Sequence, residues 1–225
     1  DGPLVRAHVA TTGPDQTSLL IGTHHIVIDA GTFDVLWEQL AARVAGATLP
    51  ALPTSYAAHG ELQRQQHLRR GDNRDFWAER TGSSESSPLR FDPAVSEADG
   101  YLELTSDLTT ADMTSLGHTP FATALAAAAA VTATFAGSSS AQLGVTASAN
   151  DRTDTVNVVG YYLNTLALSL DLAAAPRFDD LVTAAARAIT DALPHRTYPF
   201  ASVVRDARAS GRTVPDVSVM LAYER

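Results

Sequence analysis

The stretch THHIVIDAG at residues 23–31 combines two adjacent histidines with a β-branched triplet, an acid and two small residues. An apolar run at residues 19–21 leads into it. Because side chains alternate along a strand, the pattern predicts that His24 and His25 point to opposite faces. One of them can then enter a cleft while the other packs into the scaffold. Asp29 falls where the predicted strand ends, so its carboxylate can bind backbone or a cation and brace the loop.

Composition and charge exclude several classes of function. The chain has 225 residues, 45% hydrophobic content and a net charge of -9, which indicate a packed core and argue against nucleic acid or an anionic membrane as a partner. All 16 basic residues are arginines, so Schiff-base chemistry and a P-loop lysine are excluded. The absence of cysteine excludes thiolate catalysis, disulfides and Cys-ligated zinc. No apolar run is long enough for a membrane helix and no signal-peptide pattern is present, so the sequence predicts a soluble cytoplasmic protein.

The order of the predicted elements indicates an α/β protein in two blocks. In the first block the pattern predicts a strand at 4–10, a turn at 13–16 and a returning strand at 18–28 that carries both histidines. A helix capped by Thr32, a polar helix at 56–80 and a Ser/Pro-rich linker at 82–99 are expected to follow. In the second block the pattern predicts strands at 101–108, 142–147, 162–172 and 217–223, and helices at 121–136, 178–193 and 200–209. The helix at 121–136 is small and apolar nearly all round, so it is expected to be buried, with Thr119 as its cap and Gly137 at its end. Strands alternating with helices on both sides of a linker predict two lobes, with mixed sheets and flanking helices.

Residues 24–30 resemble the HHxxxDG signature of condensation domains of nonribosomal peptide synthetases and of their acyltransferase relatives. The second histidine of the signature falls on His25, its acid on Asp29, and its glycine position holds Ala30. Three further stretches resemble segments of the same family in the same order: residues 144–152 with 159–166, residues 195–200, and residues 217–223. The four ordered motifs run over nearly the whole chain and identify it as a member of this family.

The resemblance implies the chloramphenicol-acetyltransferase-like fold, a two-lobed α/β sandwich with the active site at the lobe interface. It assigns residues 1–95 to the C-terminal part of the N-terminal lobe, which carries the motif, and residues 96–225 to an incomplete C-terminal lobe. Because the family's domain is about twice as long as this chain, the chain is expected to lack both ends of the usual domain.

The resemblance also implies a reaction, the formation of an amide bond between a donor acyl thioester and the amine of an acceptor aminoacyl thioester. Both substrates ride on 4′-phosphopantetheine, so no cofactor is expected to bind directly, and the expected partners are peptidyl or acyl carrier domains and adjacent synthetase domains. His25 is the expected general base or substrate-orienting residue, since an imidazole with an ordinary pKa of about 6.5 accepts a proton at cellular pH. His24 completes the signature in a mainly structural role, and Asp29 is expected to brace the loop through an arginine.

Further residues belong to the predicted site. Gly31, beside Ala30, can absorb a turn that needs a positive φ. The family's arginine that pairs with the motif aspartate falls at or near Asn150; without a gap the position is asparagine, and with a small shift Arg152 fills it, which is the preferred alignment. Asn164 can hydrogen-bond near the substrate tunnel or serve a structural role.

Two other functions stay open. One is a carrier-independent or ester-forming acyltransferase that shares the signature, and the other is a catalytically inactive docking module, which Ala30 and the ambiguity at Asn150 favour. A zinc site at His24, His25 and Asp29 is disfavoured, because adjacent histidines on a strand diverge and no second cluster has metal-ligand spacing. No metal is therefore expected.

Overall fold

The structure, a computed structural model, describes residues 2–69, 71–82, 117–175 and 177–222, together with residues 103, 105, 109, 113 and 114, and at residues 66–69 it describes the backbone only. The predicted linker beyond Gly82 and most of the predicted strand at 101–108 lie outside the described residues.

The chain forms two compact units, each built from two separate ranges. The first contains Asp1–Arg69 and Ser148–Leu163, and the second contains Arg70–Ala147 and Asn164–Arg225. The predicted division into lobes at residues 95 and 96 falls outside the described residues and stays a prediction.

The first unit begins with the predicted hairpin. Strand β1 (Val5–Gly13) pairs antiparallel with strand β2 (Gln16–Thr23), with an irregularity in register between Thr11 and Gly13. The returning strand ends at Thr23, so the prediction that it continues to residue 28 is wrong. The chain instead closes a 3-10 turn at His25–Val27.

Two helices of the first unit follow this turn, α1 (Ala30–Val44) and α2 (Tyr56–Arg69). The N-cap of α1 is Asp29, whereas the sequence placed it at Thr32, which is the third residue of the helix. Both residue types cap helices well, and their reciprocal hydrogen bonds form a capping box, so the sequence pattern fits either position.

The second unit holds helices on a three-stranded sheet. Its elements are α3 (Gly71–Gly82), α4 (Pro120–Ala136), β3 (Ser140–Ser148), β4 (Leu163–Asp171), α5 (Phe178–Ala192), α6 (Phe200–Ala209) and β5 (Met220–Leu221). The strand order is β4-β3-β5, with β3 and β5 parallel. The amide of Leu172 donates to Ser139 and that of Ala149 donates to Tyr162, so β3 and β4 run antiparallel. The sheet is therefore mixed, as predicted.

The core of the second unit lies between this sheet and helices α4 and α5. Leu125, Leu143, Leu166 and Val182 are fully buried there, one from each of α4, β3, β4 and α5. The helix α4 starts at the predicted cap, Thr119, and ends at Gly137, whose φ of 61° is left-handed. The prediction that α4 is buried all round is correct for one face only, because Phe135 is 82% exposed.

The helices in the described parts of the chain are too short or too polar for any of them to cross a bilayer.

Asn164, one of the predicted site residues, fixes a connection in the second unit. Its side-chain nitrogen Nδ2 donates to the carbonyl oxygens of Arg196 (2.8 Å) and Tyr198 (2.7 Å), and its side-chain oxygen Oδ1 accepts from the backbone amide of Phe200 (3.0 Å). Phe200 is the first residue of α6, which has no side-chain cap of its own. Asn164 therefore satisfies the start of α6 and the turn before it, which favours the structural alternative for this residue.

Substitution of Asn164 by alanine is expected to lower the free energy of unfolding by about 1–3 kcal/mol, because three hydrogen bonds are lost and a helix-start amide is left without its acceptor. Urea unfolding followed by far-UV circular dichroism measures the change. The matched control is Asn157→Ala, which truncates an exposed asparagine and is expected to change the midpoint little. Equal midpoints for the two variants would contradict the structural role.

Candidate active site

The two adjacent histidines lie in the 3-10 turn rather than on a strand. The imidazole Nδ1 of His24 accepts a hydrogen bond from the amide of Ile26 (3.1 Å), and His24 caps the turn in this way. The amide of Ile28 donates to the carbonyl oxygen of His25 (3.4 Å) and closes the turn. These local hydrogen bonds compete with strand pairing, which explains why the β-branched triplet does not extend β2. Because the two histidines do not lie on a strand, the predicted alternation of strand side chains does not distinguish their roles.

The hydrogen bonds of the two imidazole rings determine which nitrogen of each ring carries the proton. The Nδ1 atom of His25 lies 2.7 Å from the carbonyl oxygen of Ile28. A carbonyl only accepts, so Nδ1 of a neutral His25 carries the proton and Nε2 holds the lone pair. At His24 the amide of Ile26 donates to Nδ1, so the proton lies on Nε2. Of these two histidines, His25 is the one that presents a basic nitrogen away from the turn.

The His25 ring is exposed in this chain, and Tyr161 is its aromatic neighbour. The two ring centroids lie 5.5 Å apart in a T-shaped arrangement, with the planes at 78°. The Nε2 atom of His25 makes no hydrogen bond with the described residues. A basic nitrogen in this position is accessible to a reacting group.

Asp29 is buried, 4% exposed, and its carboxylate joins two parts of the first unit that are distant in sequence. One carboxylate oxygen accepts from the amide of Thr32 (3.0 Å) in the capping box of α1. The other accepts from the amide of Tyr162 (2.6 Å). Of the two expected partners of Asp29, backbone and a cation, the described residues show the backbone, and the prediction of an arginine partner is wrong there because the carboxylate accepts from these two amides.

A second set of hydrogen bonds holds the same two segments together. The carbonyl oxygen of Gly160 accepts from the Thr32 hydroxyl (2.6 Å) and from the Asp29 amide (3.3 Å). The Tyr56 hydroxyl donates to the carbonyl oxygen of Tyr161 (2.9 Å). A Cβ atom at Gly160 would collide with the Tyr56 ring, so this position requires glycine. Residues 160–162 are thus fixed against the turn that carries His25.

Residues 160–162 lie within the family motif at 159–166, but the sequence pattern gave them no role at the site. Nothing in the local pattern around Tyr56 points to that residue, because its contact with Tyr161 spans 105 positions. The signal for Gly160 is its place in the motif beside two tyrosines, where a glycine allows close approach of a ring.

Arg152 and Asn150 bond within their own loop. The guanidinium of Arg152 pairs with Asp154 through two contacts, one of them 2.8 Å between Nε and Oδ1. This pairing raises the pKa of Arg152 and lowers the pKa of Asp154. The Oδ1 atom of Asn150 accepts from the Thr155 hydroxyl (2.6 Å) and from the amide of Arg152 (3.2 Å). The predicted pairing of Arg152 with Asp29 is therefore wrong for the described residues, and the alignment of Arg152 with the family's arginine stays a prediction.

Ala30 needs no special backbone conformation. It is the first residue of α1, and no non-glycine residue in the described parts of the chain has a positive φ. Neither Ala30 nor Gly31 has a positive φ, so the expectation that Gly31 absorbs a turn of this kind is wrong and the glycine position of the signature accepts alanine without backbone strain. A Cβ atom at Gly31 would meet the Asp29 carboxylate at 3.7 Å, an ordinary contact.

His59 on α2 is a further histidine of the first unit. It is 6% exposed, and its Nδ1 atom is the one buried side-chain polar atom of the described residues that has no hydrogen-bond partner. Its ring packs edge-on against Tyr162, with centroids 5.0 Å apart. Burial and the nearby charge of Arg152 lower the pKa of His59, and Asp151 and Asp154 oppose this in part. The neutral ring is therefore part of the support beneath residues 160–162.

The lowered pKa of His59 predicts that acid destabilises the protein. The folded state binds this proton at a lower pH than the unfolded state, so the contribution is complete above the unfolded pKa of about 6.5 and is lost as pH falls below it, by at most about 1.4 kcal/mol per pH unit. Urea midpoints measured between pH 8 and 5 test this. His59→Leu is expected to show a shallower decline than the wild type, while the lowered pKa of His195 acts equally in both proteins. Parallel curves would contradict the prediction.

The turn presents one basic nitrogen. His25 offers Nε2 as a proton acceptor, and the carbonyl oxygen of Ile28 stabilises the imidazolium that forms when Nε2 takes a proton. Asp29, Thr32 and Gly160 fix the backbone behind it. Such a site suits a reaction in which a nucleophile loses a proton as it attacks, with the reactants held in place by binding.

Comparison with known proteins defines the family. A sequence model described as "Condensation domain" matches residues 1–225. The phosphinothricin tripeptide synthetase PhsC of Streptomyces viridochromogenes is 30% identical over 92% of this chain, which spans 21% of PhsC. The X-domain from teicoplanin biosynthesis has the same fold, with a TM-score of 0.73 and 18% identity over 96% of this chain and 54% of the X-domain chain.

A starter condensation domain of the rhizomide synthetase RzmA, solved as a mutant in complex with C8-CoA, superposes with a TM-score of 0.72 and 22% identity over 98% of this chain and 52% of that domain's chain. The chain thus spans about half the length of these solved structures and about a fifth of PhsC. The predicted fold class is confirmed by these superpositions. The chain belongs to the condensation-domain family of nonribosomal peptide synthetases, as its four ordered motifs predict.

Proposed function

We propose that this chain is part of a catalytic domain that forms an amide bond between a carrier-bound donor acyl thioester and a carrier-bound acceptor aminoacyl thioester. The observation that carries the proposal is the arrangement of His25. Its Nδ1 atom is held by the Ile28 carbonyl oxygen at 2.7 Å, which leaves a basic Nε2 on an exposed ring.

The reaction needs one base in this position. The neutral amine of the acceptor attacks the thioester carbon of the donor, so a C–N bond forms and the C–S bond breaks. The amine nitrogen gives up a proton to Nε2 of His25, and the leaving thiolate takes up a proton, so that the imidazole returns to its neutral form. Positioning of two tethered substrates supplies the rest of the rate enhancement.

The substrates and partners of the proposal follow from the family. Donor and acceptor would be carried on the 4′-phosphopantetheine arms of carrier domains, and neighbouring synthetase domains would supply these carriers. The similarity to PhsC, a tripeptide synthetase, supports this assignment. In the first unit, Asp29, Thr32, Tyr56 and Gly160 would maintain the loop that presents His25.

A second candidate is acyl transfer from a carrier-independent acyl-CoA to a free amine or alcohol. The structure of the RzmA starter condensation domain contains C8-CoA, which favours this reading of the same site. In this case Nε2 of His25 would take the proton of the free nucleophile, and the leaving group would be the thiolate of coenzyme A.

A reconstitution assay separates these functions. The 225-residue chain is incubated with one carrier protein loaded with a donor aminoacyl group and a second loaded with an acceptor aminoacyl group. Intact-protein mass spectrometry is expected to show a dipeptidyl thioester on the acceptor carrier. Product from octanoyl-CoA and a free amine or alcohol, without carriers, would favour the second candidate. Carrier binding without product in any arm would instead favour the docking module.

A further inference from the structure

We infer that Tyr161 is a positioning residue for His25: its ring holds the imidazole in the orientation in which Nε2 is the free basic nitrogen, and the Tyr56 hydroxyl holds Tyr161 in place. The inference deepens the proposed function, on which its kinetic part rests. It starts from the contact between the two rings, whose centroids are 5.5 Å apart in a T-shaped arrangement.

One hydrogen bond is a weak restraint for an exposed imidazole. The bond from Nδ1 of His25 to the Ile28 carbonyl oxygen is exchanged against water, so it favours the observed orientation by only about tenfold or less. Rotation about the side-chain bonds would place a ring carbon instead of Nδ1 next to the Ile28 carbonyl oxygen, and the proton would then no longer be held on Nδ1. The ring of Tyr161 is the second described contact that restrains the imidazole plane, and T-shaped aromatic pairs favour one geometry over others.

The backbone of Tyr161 is anchored without the help of its side chain. The carbonyl oxygen of Gly160 accepts from Thr32 and Asp29, the carbonyl oxygen of Tyr161 accepts from Tyr56, and the amide of Tyr162 donates to Asp29. The Tyr161 side chain itself is 37% exposed. Truncation of that side chain therefore leaves the segment in place and removes the contact with the imidazole.

Tyr56 acts on His25 indirectly, through Tyr161. Its hydroxyl donates to the carbonyl oxygen of Tyr161 at 2.9 Å, and its ring fills the space over Gly160. Burial raises the pKa of the Tyr56 hydroxyl, so it stays a neutral donor throughout the working pH range. Removal of this hydroxyl loosens the carbonyl of Tyr161 and, through it, the position of the ring.

The test compares Tyr161→Leu, which removes the ring, with Tyr161→Phe, which keeps the ring and removes the hydroxyl. In the carrier assay Tyr161→Leu is expected to lower kcat about 3- to 10-fold with KM changed less than twofold, and Tyr161→Phe is expected to match the wild type. Tyr56→Phe should give a smaller loss than Tyr161→Leu. The control is Phe135→Leu, at an aromatic that is 82% exposed in the second unit, and it should change neither parameter.

A spectroscopic measurement tests the same inference without turnover. Long-range proton–nitrogen NMR correlations of histidine rings distinguish a protonated from an unprotonated nitrogen. The wild type and Tyr161→Phe should show His25 with Nδ1 protonated and Nε2 free, and Tyr161→Leu should show averaging of the two tautomers. If the wild type forms no product while the NMR signatures of the wild type and Tyr161→Leu differ as expected, the result supports the positioning role independently of the amide-forming function.

Two results would overturn the inference itself. If Tyr161→Leu keeps both the kcat and the tautomer signature of the wild type, the ring does not position His25. If Tyr161→Phe loses as much kcat as Tyr161→Leu, the hydroxyl and not the ring is responsible.

Discussion

Replacement of His25 by alanine is expected to lower the kcat of amide formation by about 10²- to 10⁴-fold, the range that a positioned general base contributes. The reason is local, because Nε2 of His25 is the basic nitrogen that the turn presents, while its Nδ1 is occupied by the Ile28 carbonyl oxygen. The ring is exposed, so the change should leave the unfolding midpoint nearly unaltered. The carrier assay measures kcat, and urea unfolding checks the fold.

The neighbouring histidine provides the sharpest comparison. His24 holds its proton on Nε2 and uses Nδ1 to accept from the amide of Ile26, so His24→Ala is expected to lower kcat by less than about tenfold, through a looser turn. The matched control is His8→Ala, at an exposed histidine on β1, and it should have no effect. Equal activity of the His25→Ala and His8→Ala proteins would remove His25 from the mechanism.

Replacement of Asp29 by alanine is expected to have the largest effect on stability, a loss of about 2–4 kcal/mol. Two terms contribute: the N-cap of α1, at about 1 kcal/mol, and the buried amide of Tyr162, which loses a charged acceptor at a cost of about 1–3 kcal/mol. The first unit would then hold the His25 turn less firmly against residues 160–162, so kcat should fall as well.

The variant Asp29→Ser separates the two terms. Serine restores a cap for the amide of Thr32 but does not reach the amide of Tyr162, so it should recover about 1 kcal/mol of the loss in Asp29→Ala. Urea unfolding of the three proteins measures both differences. If Asp29→Ser were as stable as the wild type, the 2.6 Å hydrogen bond to Tyr162 would not contribute to stability.

The family and its order of motifs were predictable from sequence, because the signature residues follow one another along the chain. The hairpin, the ends of α4 and the bounds of α6 were predictable for a related reason. Turn residues between Gly13 and Gln16, the Thr119 cap and Gly137 act through neighbours a few positions away. Interactions between residues so close in sequence can be predicted from the order of the residues alone.

The candidate site was only partly predictable. The sequence identified His25 and Asp29, but it extended β2 through both histidines and gave Asp29 an arginine partner. In the structure, hydrogen bonds between residues two and three positions apart fold the histidines into a turn. Hydrogen-bond partners so near in sequence compete with strand propensity, and the propensity alone does not reveal which of them prevails.

What the sequence by itself determined is the family and the class of fold, and the role of His25 in the reaction stays a prediction of the sequence. The tertiary structure alone decided what surrounds that residue. The amide of Tyr162 reaches Asp29 across 133 positions and the Tyr56 hydroxyl reaches Tyr161 across 105. Arg152 turns instead to Asp154, two positions away. The contacts of Tyr162 and Tyr56 depend on how separate segments pack, and each group forms its hydrogen bond with the complementary donor or acceptor that the packed chain brings within about 3 Å.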